Sequence, residues 1–484
     1  MAVGPSQHPQ LKKTLKTRHL TMIAMGGIIG AALFVGSSAV ISEAGPAAFI
    51  AYALTGGLVM LVMRALGEMA AAKPSTGTFV DYSRMALGEW AGFVSGWLYW
   101  YFWVIVVGFE AIVGGQIING WLPGIPVWVI ALTLMVVMTA VNMMSVRSFG
   151  EAEYVFSSIK VGVVIVFLII AGLCVVHIWP NSTASLSNLT AHGGFTPNGV
   201  SALFASTVVI VFSMMGAEVV TIAAAESEEP ARNVRRAINS VVVRVMLFFV
   251  LSTLLIVIIK PWDEIEPGKS PFVAVLNDIG IPAGGQILTV VILIAVLSLL
   301  NAGMYTSSRL LFVLASQGHA PQWMTSVNRR GVPSKGVLAC TVTGYACVVV
   351  AALWPDTVFM FLINSSGAVI LFVYLMVCIS QIRLRRRWEQ EGTLQVKMWG
   401  HPWVSLLASV AIVAMVANMA ANSSTRASLV QSLVSAGVIF AAYAALTYVR
   451  RNRSRDHYWQ EESDRFDDSS PAGDTAIAAT SDLD

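Results

Sequence analysis

The sequence predicts an all-α, polytopic membrane protein with about twelve spanning helices. Three observations carry this expectation. Only 12% of the 484 residues are charged, against roughly 25% in a soluble domain. Apolar runs of about 20 residues, the length that crosses a bilayer, recur along the chain. Basic residues gather in alternate connections between those runs, as topology requires.

The expected spans cover residues 20–41, 47–71, 90–118, 125–145, 152–177, 200–224, 237–259, 286–316, 336–354, 357–381, 402–421 and 429–449. Short alternating strands of a membrane β-barrel do not occur. The N-terminus is polar and basic, and its first apolar run has no small-residue cleavage pattern, so no signal peptide is expected. An even helix count leaves both termini on one side. That side receives Lys12, Lys13, Lys16, Arg18, Arg147, Arg235, Arg329, Arg385, Arg450, Arg451, Arg453 and Arg455, among others. The other side receives only Lys260, Lys269 and Arg426. Both termini are therefore expected in the cytoplasm. The net charge of +3 reflects topology, and no nucleic-acid partner is expected. Three regions follow: a cytoplasmic segment 1–19, a transmembrane transporter domain 20–449, and an acidic tail 450–484 that reads as disordered.

The first helix raises a question. "IAMGGIIGAALFVGSS" (Ile23–Ser38) is apolar, yet it carries Gly26, Gly27, Gly30 and Gly36. Glycine weakens a helix, and a spanning helix has little reason to collect it. The second helix carries Arg64 and Glu68 four residues apart, read as an i,i+4 pair reaching the interface. The third holds Glu110 in "VVGFEAIVGG", where Gly108, Gly114 and Gly115 suit close helix packing.

The fifth helix carries Lys160 in "FSSIKVGVVIVF". A lysine at that depth must face the interior and find acceptors. It is a candidate proton carrier, a fixed stand-in for a sodium ion, or a permanent tie between helices. The sixth helix, "VIVFSMMGAEVVTIAAAESEEP", again has a glycine in mid-span, Gly216, beside a carboxylate, Glu218. Glu218 can take part in proton coupling, bind a substrate ammonium, or stay protonated against backbone. Five helices separate the two interruptions. Paired interrupted helices mark transporters built from inverted repeats, with substrate held near the midplane. Unwound backbone offers N–H groups to a carboxylate and carbonyls to an ammonium. Arg244 and Arg309 read as structural or interfacial.

Other chemistry is not signalled. Cys174, Cys340, Cys347 and Cys378 lie in apolar runs without metal-ligand spacing and read as packing residues. There is no phosphate loop, HExxH or nucleophile elbow. Neither enzyme activity, a cofactor nor a metal is expected. The sequon at Asn188 is a short match of little weight.

Several longer words carry a resemblance: "LKTRHLTMIAMGGIIGAALFVGSS", "EAGPAAFIAY", "GWLYWYFW", "FSMMGAEVVTIAAAESEEP", "NAGMYTSSRLLFVLASQGHAP", "INSSGA" and "MWGHPW". With them the chain resembles the amino-acid permeases of the amino acid–polyamine–organocation superfamily, over nearly the whole helical body. Within that family "MGAEVVTIAAAES" is most similar to the bacterial γ-aminobutyrate branch. The resemblance implies a leucine-transporter-like fold of two inverted five-helix repeats plus two further helices. It implies import of a small amino acid with a proton across the bacterial plasma membrane. It places the substrate carboxylate at the backbone of Gly27, Ile28, Ile29, Gly30, Ala31, Ala32 and Leu33. Ser213, Gly216, Ala217 and Glu218 would form the facing wall, and Phe212 matches an aromatic gate. Lys160 matches the lysine that replaces sodium in proton-coupled members. Relatives often have serine at the position of Ala32, so a hydroxyl contact is lost here. Glu110 and Glu218 stand as amine partners, which favours a zwitterion with separated charges such as γ-aminobutyrate. Proline, β-alanine or an aromatic amino acid is the alternative cargo. A sensor that binds without transporting, or a channel, fits less well.

Overall fold

In the computed structural model the described residues run from Thr17 to Asp467, apart from 76, 181, 226–231, 234–239, 241–243, 354–365, 367 and 395. Every regular element among them is helical. Among the described residues, seven helical stretches are long and apolar enough to cross a membrane. Three shorter apolar helices, Val200–Ser213, Val245–Ile259 and Ser334–Val350, accompany them. The expected spans 237–259, 336–354 and 357–381 lie partly outside the described residues.

The first span is in pieces: α1 (Thr17–Gly26), α2 (Ala31–Phe34) and α3 (Gly36–Ala44). The main gap falls on the glycine cluster. Then follow α4 (Ala48–Ala72), a short amphipathic α5 (Phe79–Leu87), α6 (Glu89–Trp121), α7 (Val127–Met144) and α8 (Val146–Val175). Helix α8 starts before the expected residue 152. Ser145 caps it, its hydroxyl accepting the Ser148 N–H at 2.9 Å, as a helix N-terminus favours. The sixth span is α9 (Val200–Ala205), α10 (Thr207–Ser213) and α11 (Val219–Ala225), with turns between them. A π-helical segment Val245–Leu251 leads into α12 (Ser252–Ile259), and α13 (Pro271–Asp278) and α14 (Gly284–Ser316) follow. The remainder is α15 (Ser334–Leu353), α16 (Val369–Gln390), α17 (Trp403–Ala421) and α18 (Ser423–Asp467).

Helix α18 continues through Arg450 to Asp467, where the sequence suggested disorder. The stretch "RRNRSRDHYWQEESDRFD" lacks glycine and proline, so nothing local ends the helix. The chain divides into a unit ending at Ala436 and a second, Gly437–Asp484, whose described part is the later portion of α18.

Within the first unit α14 packs along α6. With α7 and α15 they enclose Val107, Ala111, Met135, Leu300, Met304 and Val348. Lipid is as apolar as this core, so shape and close approach hold such helices together. A Cβ at Gly108 would meet that of Cys347 at 3.0 Å, and one at Gly114 would meet Leu134 at 2.8 Å. These glycines do serve packing.

The structure separates the expected Arg64–Glu68 pair. Glu68 is fully buried, and Arg385 Nη1 donates to its Oε2 at 2.7 Å. Gln381 Nε2 donates to Oε1 at 2.7 Å, and the Met398 N–H also donates to Oε2. Arg64 instead donates to Lys397 O at 2.8 Å and lies over the Trp399 ring. A buried carboxylate needs a buried donor set, and α16 supplies one that the exposed end of Arg64 cannot. Arg309 is equally buried, its guanidinium 3.7 Å from the Tyr305 ring centroid, which is a structural place and not an interfacial one. Arg244 is buried as well. Asn188 is buried and donates to Ile258 O at 2.9 Å, so it does not present its amide for glycosylation.

Candidate substrate and coupling site

The two interruptions meet. Gly216 has φ +104°, a conformation that glycine adopts without strain. A Cβ there would lie 2.1 Å from Gly27 O, so backbone packs directly on backbone. This answers the question posed by the first helix: a side chain at either glycine would push the two breaks apart.

Beside this contact lies a narrow cavity. Ile28, Gly30 and Ala32 line it from the first span, and Phe102, Trp103 and Val106 from α6. Phe212, Ser213 and Met215 line it from the sixth span, with Leu299 of α14 closing one side. Phe212 meets Phe102 at 5.8 Å and Phe109 at 6.0 Å in edge-on contacts, forming an aromatic wall. Ala31 and Leu33 are buried in α2, and Ala217 is buried in the turn after α10.

The ionisable residues divide between two sides of the breaks. Glu110 stands against the first break: a Cβ at Gly30 would lie 3.3 Å from its Oε1. In the first turn of α2 the Leu33 N–H donates to Gly30 O at 3.2 Å. Lys160 is fully buried and donates to Ile29 O at 3.0 Å, inside the gap between α1 and α2. The unwound carbonyl is the acceptor its depth demands. Glu218 lies elsewhere. Tyr99 donates to its Oε1 at 2.8 Å, and Tyr374 approaches Oε2 at 3.5 Å. The Gly216 N–H donates to Oε1 at 3.2 Å. Glu218 braces the second break and does not line the cavity.

The sequence suggested the unwound carbonyls of the first helix as acceptors for Lys160 but not its side-chain partners. Ser298 of α14 accepts from Lys160 Nζ at 2.8 Å and donates to Glu153 Oε1 at 2.5 Å. Ser157 donates to the same oxygen at 3.0 Å. Lys160 Nζ is 3.8 Å from Glu153 Oε1, with the Ser298 hydroxyl bridging them. A signal was available: Glu153, Ser157 and Lys160 fall at i, i+4 and i+7, a single polar stripe on an apolar helix.

Comparison with known proteins agrees with this architecture. The model of the family described as amino acid permease matches residues 19–454. The chain belongs to the amino acid permease family. It is 46% identical to the gamma-aminobutyric acid permease of Bacillus subtilis (strain 168) over 436 residues, 90% of this chain and 93% of that protein. Identity to the gamma-aminobutyric acid permease of Escherichia coli (strain K12) is 42% over 411 residues, 84% of this chain and 88% of the relative. It is 37% identical to the aromatic amino acid transport protein AroP of Corynebacterium glutamicum over 445 residues, 90% and 95% of the two chains. This permease is a multi-pass membrane protein, and its family marks it as a transporter of amino acids.

Proposed function

We propose that this permease imports γ-aminobutyrate together with a proton. The observation that carries the reading is the backbone contact between the two broken spans at Gly27 and Gly216, beside a cavity lined by Gly30, against which Glu110 stands. The unwound N–H groups of the gap suit the substrate carboxylate. Glu110, beside Gly30, suits its ammonium. Both charges of an ω-amino acid then have partners, and its methylenes meet Phe102, Trp103 and Phe212. Lys160, bound to Ile29 O, makes the break sensitive to protonation, and by the family resemblance it matches the lysine that replaces sodium in proton-coupled members.

The fold reading goes with this. We infer about twelve spans in two inverted five-helix repeats plus two, with both termini in the cytoplasm and residues 450–484 a cytoplasmic tail. The even helix count and the basic-residue asymmetry support it. A second reading, an aromatic cargo, draws on the aromatic wall and on the AroP relative. Uptake of labelled γ-aminobutyrate into proteoliposomes, with unlabelled γ-aminobutyrate, β-alanine, proline, phenylalanine and lysine as competitors, separates them. The proposal expects ω-amino acids to compete best. Transport of phenylalanine or proline with no competition from γ-aminobutyrate would overturn it and leave the transporter intact.

A further inference from the structure

We propose that Glu153 is the inner station of the transported proton, receiving it from Lys160 through the Ser298 hydroxyl. The proposal rests on the proton-coupled reading above.

The geometry is a completed donor chain. Lys160 Nζ donates to Ser298 Oγ at 2.8 Å, and Ser298 Oγ donates onward to Glu153 Oε1 at 2.5 Å. Lysine, serine and carboxylate are all buried. The transfer balances. Lys160 gives one N–H proton to Ser298 Oγ as Ser298 gives its hydroxyl proton to Glu153 Oε1. The lysine ends as a neutral amine, the serine is regenerated, and the glutamate ends as a carboxylic acid. An ammonium–carboxylate pair becomes a neutral pair, so the interior carries no net charge before or after. That matters where an isolated buried charge is costly.

Two details favour a working relay over a fixed brace. Glu153 Oε2 is buried without a hydrogen-bond partner among the described residues, so the acid has an oxygen left for the proton's next step. Deprotonation also removes the charge from the Lys160 bond to Ile29 O, and charge-assisted bonds are the stronger kind. Loss of the proton therefore loosens the hold of α8 on the first break. Seven residues separate Lys160 from Glu153, about 10 Å of helix rise toward the N-terminal end of α8. In the proposed topology that end is cytoplasmic.

The other ionisable groups around the pair are few. Helix α1 packs on α8 and brings Arg18 and His19, both within ion-pair distance of Glu151. Helix α14 brings Arg309, held over Tyr305. Helices α7 and α12 bring none. Glu110 of α6 stands against Gly30 at the same break.

The test compares two transport modes of the full-length protein in proteoliposomes, with labelled γ-aminobutyrate as probe. Net uptake is driven by an inside-alkaline gradient, and acidification of the lumen is followed by an entrapped pH dye. Exchange is measured at equal pH with unlabelled γ-aminobutyrate inside, where no net proton release is needed. In Glu153→Gln, net uptake and acidification should fall by about 100-fold, the lower range for removing a positioned proton-transfer group. Exchange should fall by less than about tenfold, so the two modes separate, which loss of mere packing would not produce. Ser298→Ala keeps both charges and should show the same split, smaller in size. It decides the matter if Glu153→Gln does not reach the membrane. Equal loss of both modes in these variants, or a wild-type pH profile of net uptake, would overturn the relay alone. A wild type that carries γ-aminobutyrate without acidifying the lumen would overturn the proton reading and the relay with it.

Discussion

Two buried ion pairs of this permease invite comparison. Glu68 and Arg385 meet at 2.7 Å, and the remaining acceptor sites of Glu68 take Gln381 and the Met398 N–H. Ser405 fixes Gln381 in turn, donating to its Oε1 at 2.8 Å. Beside them, burial and then the Arg385 charge push the His401 imidazole below its ordinary range, so it stays neutral near pH 7. Glu153 and Lys160 are farther apart, at 3.8 Å, with a hydroxyl between them and one carboxylate oxygen unfilled. With both oxygens of its carboxylate filled, the first pair is a fixed joint between α4, α16 and the segment before α17. In the relay proposed above, the second pair, partly satisfied and next to unwound backbone, exchanges a proton. In that proposal, what separates a brace from a coupling device is whether a carboxylate oxygen remains unfilled, not how deeply the charges are buried.

The comparison breaks most directly at the working pair. Lys160→Ala leaves Glu153 buried without its counter-ion and should abolish proton-driven accumulation; uptake under a pH gradient checks this, with membrane content measured in parallel. Gly30→Val should also abolish uptake while the protein remains in the membrane. Its side chain would run into Leu299 Cδ2, 2.5 Å from the first added carbon, and into Glu110. Normal transport by Gly30→Val would remove the first break from the substrate site.

At the brace the readout should change from coupling to stability. Arg385→Ala should lower thermal stability in detergent by about 3–5 kcal/mol, the usual penalty for orphaning a buried charge. Transport per folded molecule should keep its pH dependence. An altered pH profile in that variant would erase the distinction between the two pairs. Glu218→Gln should weaken uptake by an intermediate amount, because it disturbs the hydrogen bonds from Tyr99 and Gly216 that shape the second break. Arg64→Gln should have the smallest effect. It loses one bond to Lys397 O and a cation–π contact worth about 0.5–1 kcal/mol at an accessible site. If uptake falls further in Arg64→Gln than in Glu218→Gln, the ranking fails.

Much of this was legible in the sequence because membranes impose strong local rules. A glycine cluster and a lysine at depth have few tolerable explanations, and both interruptions fall where they were expected, at residues 27–30 and 214–218. The partners were harder to read. Glu68 looked like a neighbour of Arg64 because spacing along one helix is visible, while Arg385 lies 317 residues away. Ser298 carries no signal in an apolar helix, since serine often just bonds its own backbone. Glu153 was hidden for another reason: it sits at the start of the expected span, where an acidic residue reads as interfacial. The backbone contact of Gly27 with Gly216 depends on how two distant breaks dock, which no local pattern encodes.

The central claim is that this permease couples amino-acid entry to a proton at the paired breaks. The most direct measurement is accumulation of labelled γ-aminobutyrate in sodium-free proteoliposomes under an inside-alkaline pH gradient. The account predicts accumulation that collapses when a protonophore is added and is indifferent to sodium. A strict sodium requirement, or equilibration with no accumulation under the gradient, would contradict it.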